Sequence, residues 1–173
     1  MSYFAKFALM LFIFSASFAF AQDDEEFVNV DQEALLKEYL VNSKKTVSFD
    51  TTIVFKSEKF EIHLKQYQSK KILSIPAKFY PNIRKSAFKT PEILVDLIVL
   101  KDGIEIFKKT IDKSFFADFN NFDSRSTTIN QFSFESFKNE NFIFSCNVGI
   151  PVTDVAFEVN LLLDTNGNIS FKE

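Results

Sequence analysis

The spacing of apolar residues changes several times along the chain, and each change predicts a different element. After Asp31, which can cap a helix, apolar side chains recur at helical spacing as far as Leu40. We therefore predict a short helix over residues 31–41. From Thr46 onward the period becomes two, which is typical of strands with one buried face.

Period-two alternation and apolar runs continue to the end of the sequence and predict about nine short strands. They are residues 47–55, 60–64, 72–75, 93–100, 104–111, 128–137, 141–148, 155–163 and 169–171. Asp102-Gly103 favours a tight hairpin turn between two of them. Residues 77–91 are expected to be irregular, because Pro81 and Pro91 mark their limits.

The order of these elements indicates the fold class. Parallel strands need crossover connections, usually helices, and no helical segment separates the predicted strands. We therefore expect an antiparallel β-sandwich, immunoglobulin-like or jelly-roll-like, of about eight to nine strands after one short helix. A closed β-barrel is the alternative that strand number alone leaves open.

The N-terminal segment reads as a secretory signal peptide over residues 1–21. Lys6 is followed by the apolar run 7–14 and then by Ala19-Phe20-Ala21, which fits a signal peptidase site. The stretch 7–21 is shorter than the ~20 residues that a spanning helix needs. We expect cleavage between Ala21 and Gln22, and export to the periplasm or the exterior with no stable membrane anchor. Residues 22–30 would then be an acidic, flexible lead-in to a single domain over residues 31–173.

The amino-acid composition restricts the functions and the stabilising bonds that are possible for the exported part. Loss of Lys6 with the signal changes the net charge from −3 to −4, which argues against nucleic-acid binding. Cys146 is the only cysteine, so no disulfide can form within the chain. Phenylalanine is expected to supply much of the core, because 18 of the 24 phenylalanines lie after residue 21.

Residues that could carry catalysis or bind a metal are scarce. His63 is the only histidine, and three glycines cannot build a phosphate-binding loop. We predict that Cys146 is a buried apolar residue and that His63 lies on the polar face of its strand. Asp96 interrupts an apolar strand and is expected at a strand end or an edge that faces solvent. No catalytic, cofactor or metal site is predicted, and the protein is expected not to be an enzyme.

Two short segments faintly suggest calcium binding. In the first, Asp118, Asn120 and Asp123 lie in an aromatic and Asn-rich loop. In the second, Asp164, Asn166 and Asn168 alternate as oxygen-bearing residues in the sequence D-T-N-G-N. An ordinary hairpin turn explains the same residues, and we favour the turn.

The most specific charge feature is a basic and aromatic segment over residues 65–89. No acidic residue lies between Glu61 and Glu92, while Tyr67 and Phe79 are among the aromatic residues interleaved with the basic ones. Such a segment suits an anionic partner. The alternatives are an ordinary solvated loop, or lysines that prevent aggregation through an exposed sheet edge. The residues predicted to form this surface are Lys70, Lys71, Lys78, Tyr80, Arg84, Lys85 and Lys89.

Three functions are compatible with this sequence. The first is a binding module that recognises another protein or an anionic envelope or surface component. The second is a carrier that holds an apolar ligand in a Phe-rich cavity. The third, a carboxylate-dependent hydrolase, would need two acids about 5–10 Å apart in a cleft, and no pair is singled out.

Overall fold

The computed structural model describes residues 31–83, 86–119 and 125–172, which form one helix, two 3₁₀ segments and eight strands. The helix α1 spans Gln32–Ser43, and the 3₁₀ segments span Ala77–Phe79 and Lys113–Phe119. The strands are β1 (Val47–Phe55), β2 (Glu58–Pro76), β3 (Ala87–Lys101), β4 (Ile104–Ile111), β5 (Thr128–Lys138), β6 (Asn141–Gly149), β7 (Ala156–Asp164) and β8 (Ile169–Lys172). The expected signal cleavage at Ala21–Gln22 and the lead-in 22–30 lie outside the described residues.

The helix begins where its capping residue predicts. The Asp31 side chain accepts a hydrogen bond from the backbone N–H of Ala34 at 3.1 Å, which satisfies one of the first donors of the helix. The helix continues two residues past the predicted end at Val41. Leu36 is its buried residue and anchors it to the sheet ends. None of the described helices is both long and apolar enough to cross a membrane.

The strands form two four-stranded antiparallel sheets that pack face to face. One sheet has the order β1-β2-β3-β4 and the other β5-β6-β7-β8, so both are meanders. The predicted antiparallel β-sandwich is confirmed, and the described strands do not close into one barrel. The likeness to immunoglobulin and jelly-roll domains lies in the two-layer architecture rather than in the strand order.

The structure corrects two details of the predicted strands. The predicted strands 60–64 and 72–75 are parts of the single strand β2, whose register shifts between Gln68 and Ile72. That bulge takes up the polar residues that interrupt the apolar pattern. Residues 87–91, predicted to be irregular, belong to β3. Pro91 fits because it pairs with Ile72 beside the bulge, where the ladder is already interrupted.

Phenylalanine fills the space between the two sheets. Phe60 from the first sheet contacts Phe142 from the second, with ring centroids 5.2 Å apart. Both rings are fully buried, as are Phe116 and Phe144. A smaller apolar cluster joins α1 to the ends of β2 and β3, and it contains Leu36, Leu73, Ile75, Tyr80, Phe88 and Ile150.

Candidate functional site

A surface groove of about 510 Å³ runs beside α1, on the smaller apolar cluster rather than in the Phe-rich core. One wall comes from α1, and the other from the segment that leads into β3. The groove is lined by Glu33, Leu36, Lys37, Leu40, Ile83, Ser86, Ala87, Phe88 and Lys89. Helical spacing explains the first wall, because Glu33, Leu36, Lys37 and Leu40 recur on one face of α1.

The floor of the groove is apolar and firmly supported from below. Phe88 packs edge-on against Tyr80, with ring centroids 5.6 Å apart, and against Tyr39 at 6.3 Å. The Tyr80 hydroxyl donates a hydrogen bond to the backbone carbonyl of Pro151 at 2.9 Å. Burial raises the pKa of Tyr80, so its hydroxyl keeps the proton that it donates. The floor is therefore preformed.

The rim of the groove carries charge. Lys37 on α1 and Lys89 on β3 are exposed, and among the described residues neither forms an ion pair. Glu33, one turn before Lys37, is the acidic residue of the lining. The groove thus combines an apolar floor with two lysines at its edge.

The predicted basic and aromatic surface is only partly assembled here. Lys89 lines the groove, but Lys70, Lys71 and Lys78 do not, and Arg84 and Lys85 lie outside the described residues. Tyr80 was wrongly placed on this surface: its exposed fraction is 0 %, because its ring packs under Phe88. Lys78 lies over the ring of Phe79, with its nitrogen 5.0 Å from the centroid.

Sequence reasoning missed the contribution of α1 to the groove. Lys37 follows Leu36 and precedes Leu40 by three residues. Helical spacing therefore predicts that Lys37 lies beside the apolar stripe that contains these two leucines. The local sequence did not predict which residues pack against that apolar stripe. Only the long-range packing of α1 against Phe88 brings Lys37 and Lys89 to the same groove.

A buried polar cluster, which no local pattern in the sequence predicts, lies where the two sheets meet. Glu92 is 3 % exposed, and its carboxylate is 3.0 Å from the Lys71 nitrogen and 3.7 Å from that of Lys113. Lys113 is also buried and donates to the backbone carbonyl of Thr127 at 2.8 Å. Burial lowers the pKa of Lys113, while the nearby Glu92 carboxylate opposes that shift. The cluster links β2, β3 and the segment that precedes β5.

The other singled-out residues lie apart from the groove. Cys146 is fully buried in the core, as predicted, and burial raises the pKa of its thiol. His63 is paired with Asp50, at 2.6 Å between Nδ1 and Oδ1, on the outer face of the first sheet. Asp96 lies in the middle of β3 rather than at a strand end, half-buried on the outer face. It accepts hydrogen bonds from Thr110 at 2.6 Å and Tyr67 at 3.2 Å.

Of the two segments that suggested calcium, the first has Asn120 and Asp123 outside the described residues, and the second, from Asp164 to Asn168, is a hairpin turn. One Asp164 oxygen accepts the backbone N–H groups of Asn166 and Asn168, each at 2.8 Å, and the other accepts the Asn168 side chain at 2.9 Å. Burial tends to raise the pKa of Asp164, but these hydrogen bonds outweigh it and lower the pKa. Within the described ranges, no group of three His, Cys, Asp or Glu residues is arranged to hold a metal ion.

Comparison with known proteins adds one finding. A family model described as "Domain of unknown function (DUF4738)" matches residues 26–171, a range that includes α1, the groove and nearly all of both sheets. No curated protein matches the chain.

Proposed function

The chain belongs to the family described as "Domain of unknown function (DUF4738)", and because that description names no function, we propose one from the groove itself. The protein is an exported, non-enzymatic binding module that takes an acidic, apolar segment of a partner protein into the groove beside α1. The observation that carries this proposal is a groove of about 510 Å³ that has an apolar floor and carries Lys37 and Lys89 on its rim.

The size and chemistry of the groove support a short protein segment as its occupant. Ligand sites commonly measure about 300–1,000 Å³, which accommodates a few side chains. Each apolar side chain fully buried on the floor would contribute about 1.5–3 kcal/mol. Lys37 and Lys89 would select segments with a carboxylate next to those side chains, and they would increase the association rate.

The charge of the whole chain favours a protein over an anionic bilayer. The net charge of the chain without residues 1–21 is −4, so an extended anionic surface would be repelled overall, whereas a short acidic segment meets only the local lysines. Glu33 restricts the occupant further, because a carboxylate placed beside it would be repelled.

The groove supports binding better than catalysis or storage of an apolar molecule. The charged groups among its described lining residues, Glu33, Lys37 and Lys89, are all exposed, so solvent weakens the electrostatic effects that activate catalytic groups. A carrier in a Phe-rich interior receives less support, since this groove opens to solvent and Phe88 is the one phenylalanine among its described lining residues.

The test is capture of a partner from extract of the native host, with the chain from Gln22 onward as bait. The groove variant carries Lys37→Glu and Lys89→Glu. The matched control carries Lys138→Glu and Lys172→Glu, which make the same charge change at exposed positions outside the groove. We expect the wild type and the control to retain a partner that the groove variant loses.

Two outcomes would contradict the proposal. The first is a partner retained equally by the groove variant. The second is groove-dependent binding to vesicles of phosphatidylserine without any captured protein, which would identify a lipid as the ligand.

A further inference from the structure

Among the strands that the structure describes, four lie at sheet edges, and these edges differ in how they are protected against pairing with another strand. Natural sheets protect their edges with lysines, bulges or short strands. The edge β4 carries Lys108 and Lys109 and has a register shift against β3. The edge β5 has two register shifts against β6, and β8 is only four residues long.

The fourth edge, β1, has none of these protections. Its nine residues contain no lysine and no proline, and they pair with β2 in one uninterrupted register. Its one charged residue, Asp50, is paired with His63. The outward side of β1 is therefore a regular, nearly uncharged strand edge.

Apolar side chains are exposed along the same strand. Val47 is 55 % exposed and Phe49 41 %, although both occupy the face of β1 that points toward the second sheet. Farther along that face, Ile53 and Phe55 pack against the core. Phe49 also stacks on Phe134 of β5, with ring centroids 6.2 Å apart, so the second sheet covers the first half of β1 only in part.

We propose that β1 is a dimerisation edge, at which a second copy of this chain adds its own β1 in antiparallel orientation. The two copies are related by a two-fold axis through Thr51, and their first sheets join into one. This proposal does not depend on the function assigned to the groove.

The sequence of β1 is self-complementary in this register. Opposite residues of an antiparallel pair lie on the same face, and pairing about Thr51 places Phe49 opposite Ile53 and Val47 opposite Phe55. The exposed half of each strand then covers the half-buried end of the other. All nine residues are paired, and Asp50 lies opposite Thr52.

Neighbouring registers fit less well. Pairing about Asp50 would place the two Asp50 carboxylates opposite one another, which is unfavourable. Pairing about Thr52 would leave Val47 without an opposite residue. This self-complementarity identifies the occupant as a second copy, because an isologous interface uses the same surface on both subunits.

The first experiment measures the mass of the chain from Gln22 onward by sedimentation velocity over a concentration series. We expect a reversible dimer for the wild type and a monomer for Phe49→Lys, which adds a cation to the edge. The control is Ile104→Lys, at an apolar residue 71 % exposed on the edge β4, and it should dimerise like the wild type. A wild type that stays monomeric throughout, or equal dimerisation of Phe49→Lys, would overturn the proposal.

The second experiment tests the register by oxidative cross-linking. Opposite Cα atoms lie about 4.5–5.5 Å apart, within the range of a disulfide, so Thr51→Cys should give a disulfide-linked dimer. In the control Val54→Cys each thiol lies opposite Ser48, and the two thiols are about 20 Å apart. The native Cys146 is fully buried and does not compete. Equal cross-linking of both variants, or none for Thr51→Cys, would contradict the register.

Discussion

At the scale of single residues, Glu92 illustrates how burial changes the contribution of an ion pair to the free energy of unfolding. Its carboxylate is buried between Lys71, whose side chain is 63 % exposed, and Lys113, whose side chain is 9 % exposed. A pair with one exposed partner typically contributes up to about 1 kcal/mol, because water screens it. Removing one member of a buried pair is more costly, since the remaining charge loses its compensation.

We therefore predict unequal effects of two substitutions in this cluster. Glu92→Gln should lower the free energy of unfolding by about 3 kcal/mol, because Lys113 remains buried without a counter-charge. Lys71→Met should lower it by about 1 kcal/mol or less. Urea denaturation of both variants measures the difference, and equal losses would show that Lys113 does not depend on Glu92.

The turn at Asp164 predicts a pH dependence of stability. Hydrogen bonds lower the folded-state pKa of Asp164 below its ordinary value of 3.8. A carboxylate with a depressed folded-state pKa binds more protons when unfolded, so its contribution is complete above pH 3.8 and is lost as the pH falls through the folded-state pKa. Asp164→Asn removes this titration. The urea midpoint of the wild type should exceed that of the variant at neutral pH, and the gap should close in strong acid. A gap that stays constant would exclude this linkage.

At the scale of elements, local patterns identified most of the fold and failed where the determinants are long-range. The helix, with its cap at Asp31, and the hairpins follow from periodicity and turn residues that lie within a few positions of one another. The merging of two predicted strands into β2 depends on a bulge that is placed by pairing with β3. The groove likewise depends on contact between α1 and Phe88, which are distant in sequence. Tyr80 was misplaced because an aromatic ring among lysines has the same local pattern whether it is exposed or buried.

The pairing of β6 with β7 makes a prediction of its own at this scale. Gly149 lies opposite Ala156, and a Cβ added to Gly149 would come within 2.5 Å of the Ala156 Cβ and of the Val155 carbonyl oxygen. The strands would have to separate, so Gly149→Ala should lower the free energy of unfolding by about 1–3 kcal/mol. The control Ser145→Ala, at a half-buried position on the same strand, should change it by about 0.5 kcal/mol or less. Thermal and urea unfolding measure both, and a neutral Gly149→Ala would mean that this pairing can relax.

For the whole molecule, the stability of the folded part bears on the proposed export. An exported domain often relies on disulfides, and this chain, with Cys146 alone, has none within it. The described residues instead bury a large Phe-rich core between two sheets. Such a core does not need an oxidising compartment, and it remains folded in a reducing or an oxidising one.

Maturation at the N-terminus is the prediction that belongs to this scale. Lys6, the apolar run 7–14 and Ala19-Phe20-Ala21 predict cleavage before Gln22. Mass spectrometry of the protein from its native host should therefore find Gln22 as the first residue, in the periplasmic or extracellular fraction. Ala21→Arg places a large cation where the peptidase requires a small side chain, and it should leave the precursor uncleaved in the membrane fraction. The control Gln22→Ser changes the other side of the bond conservatively and should still be processed. An intact Met1 in exported wild-type protein would contradict cleavage, and mature protein confined to the cytoplasm would contradict export.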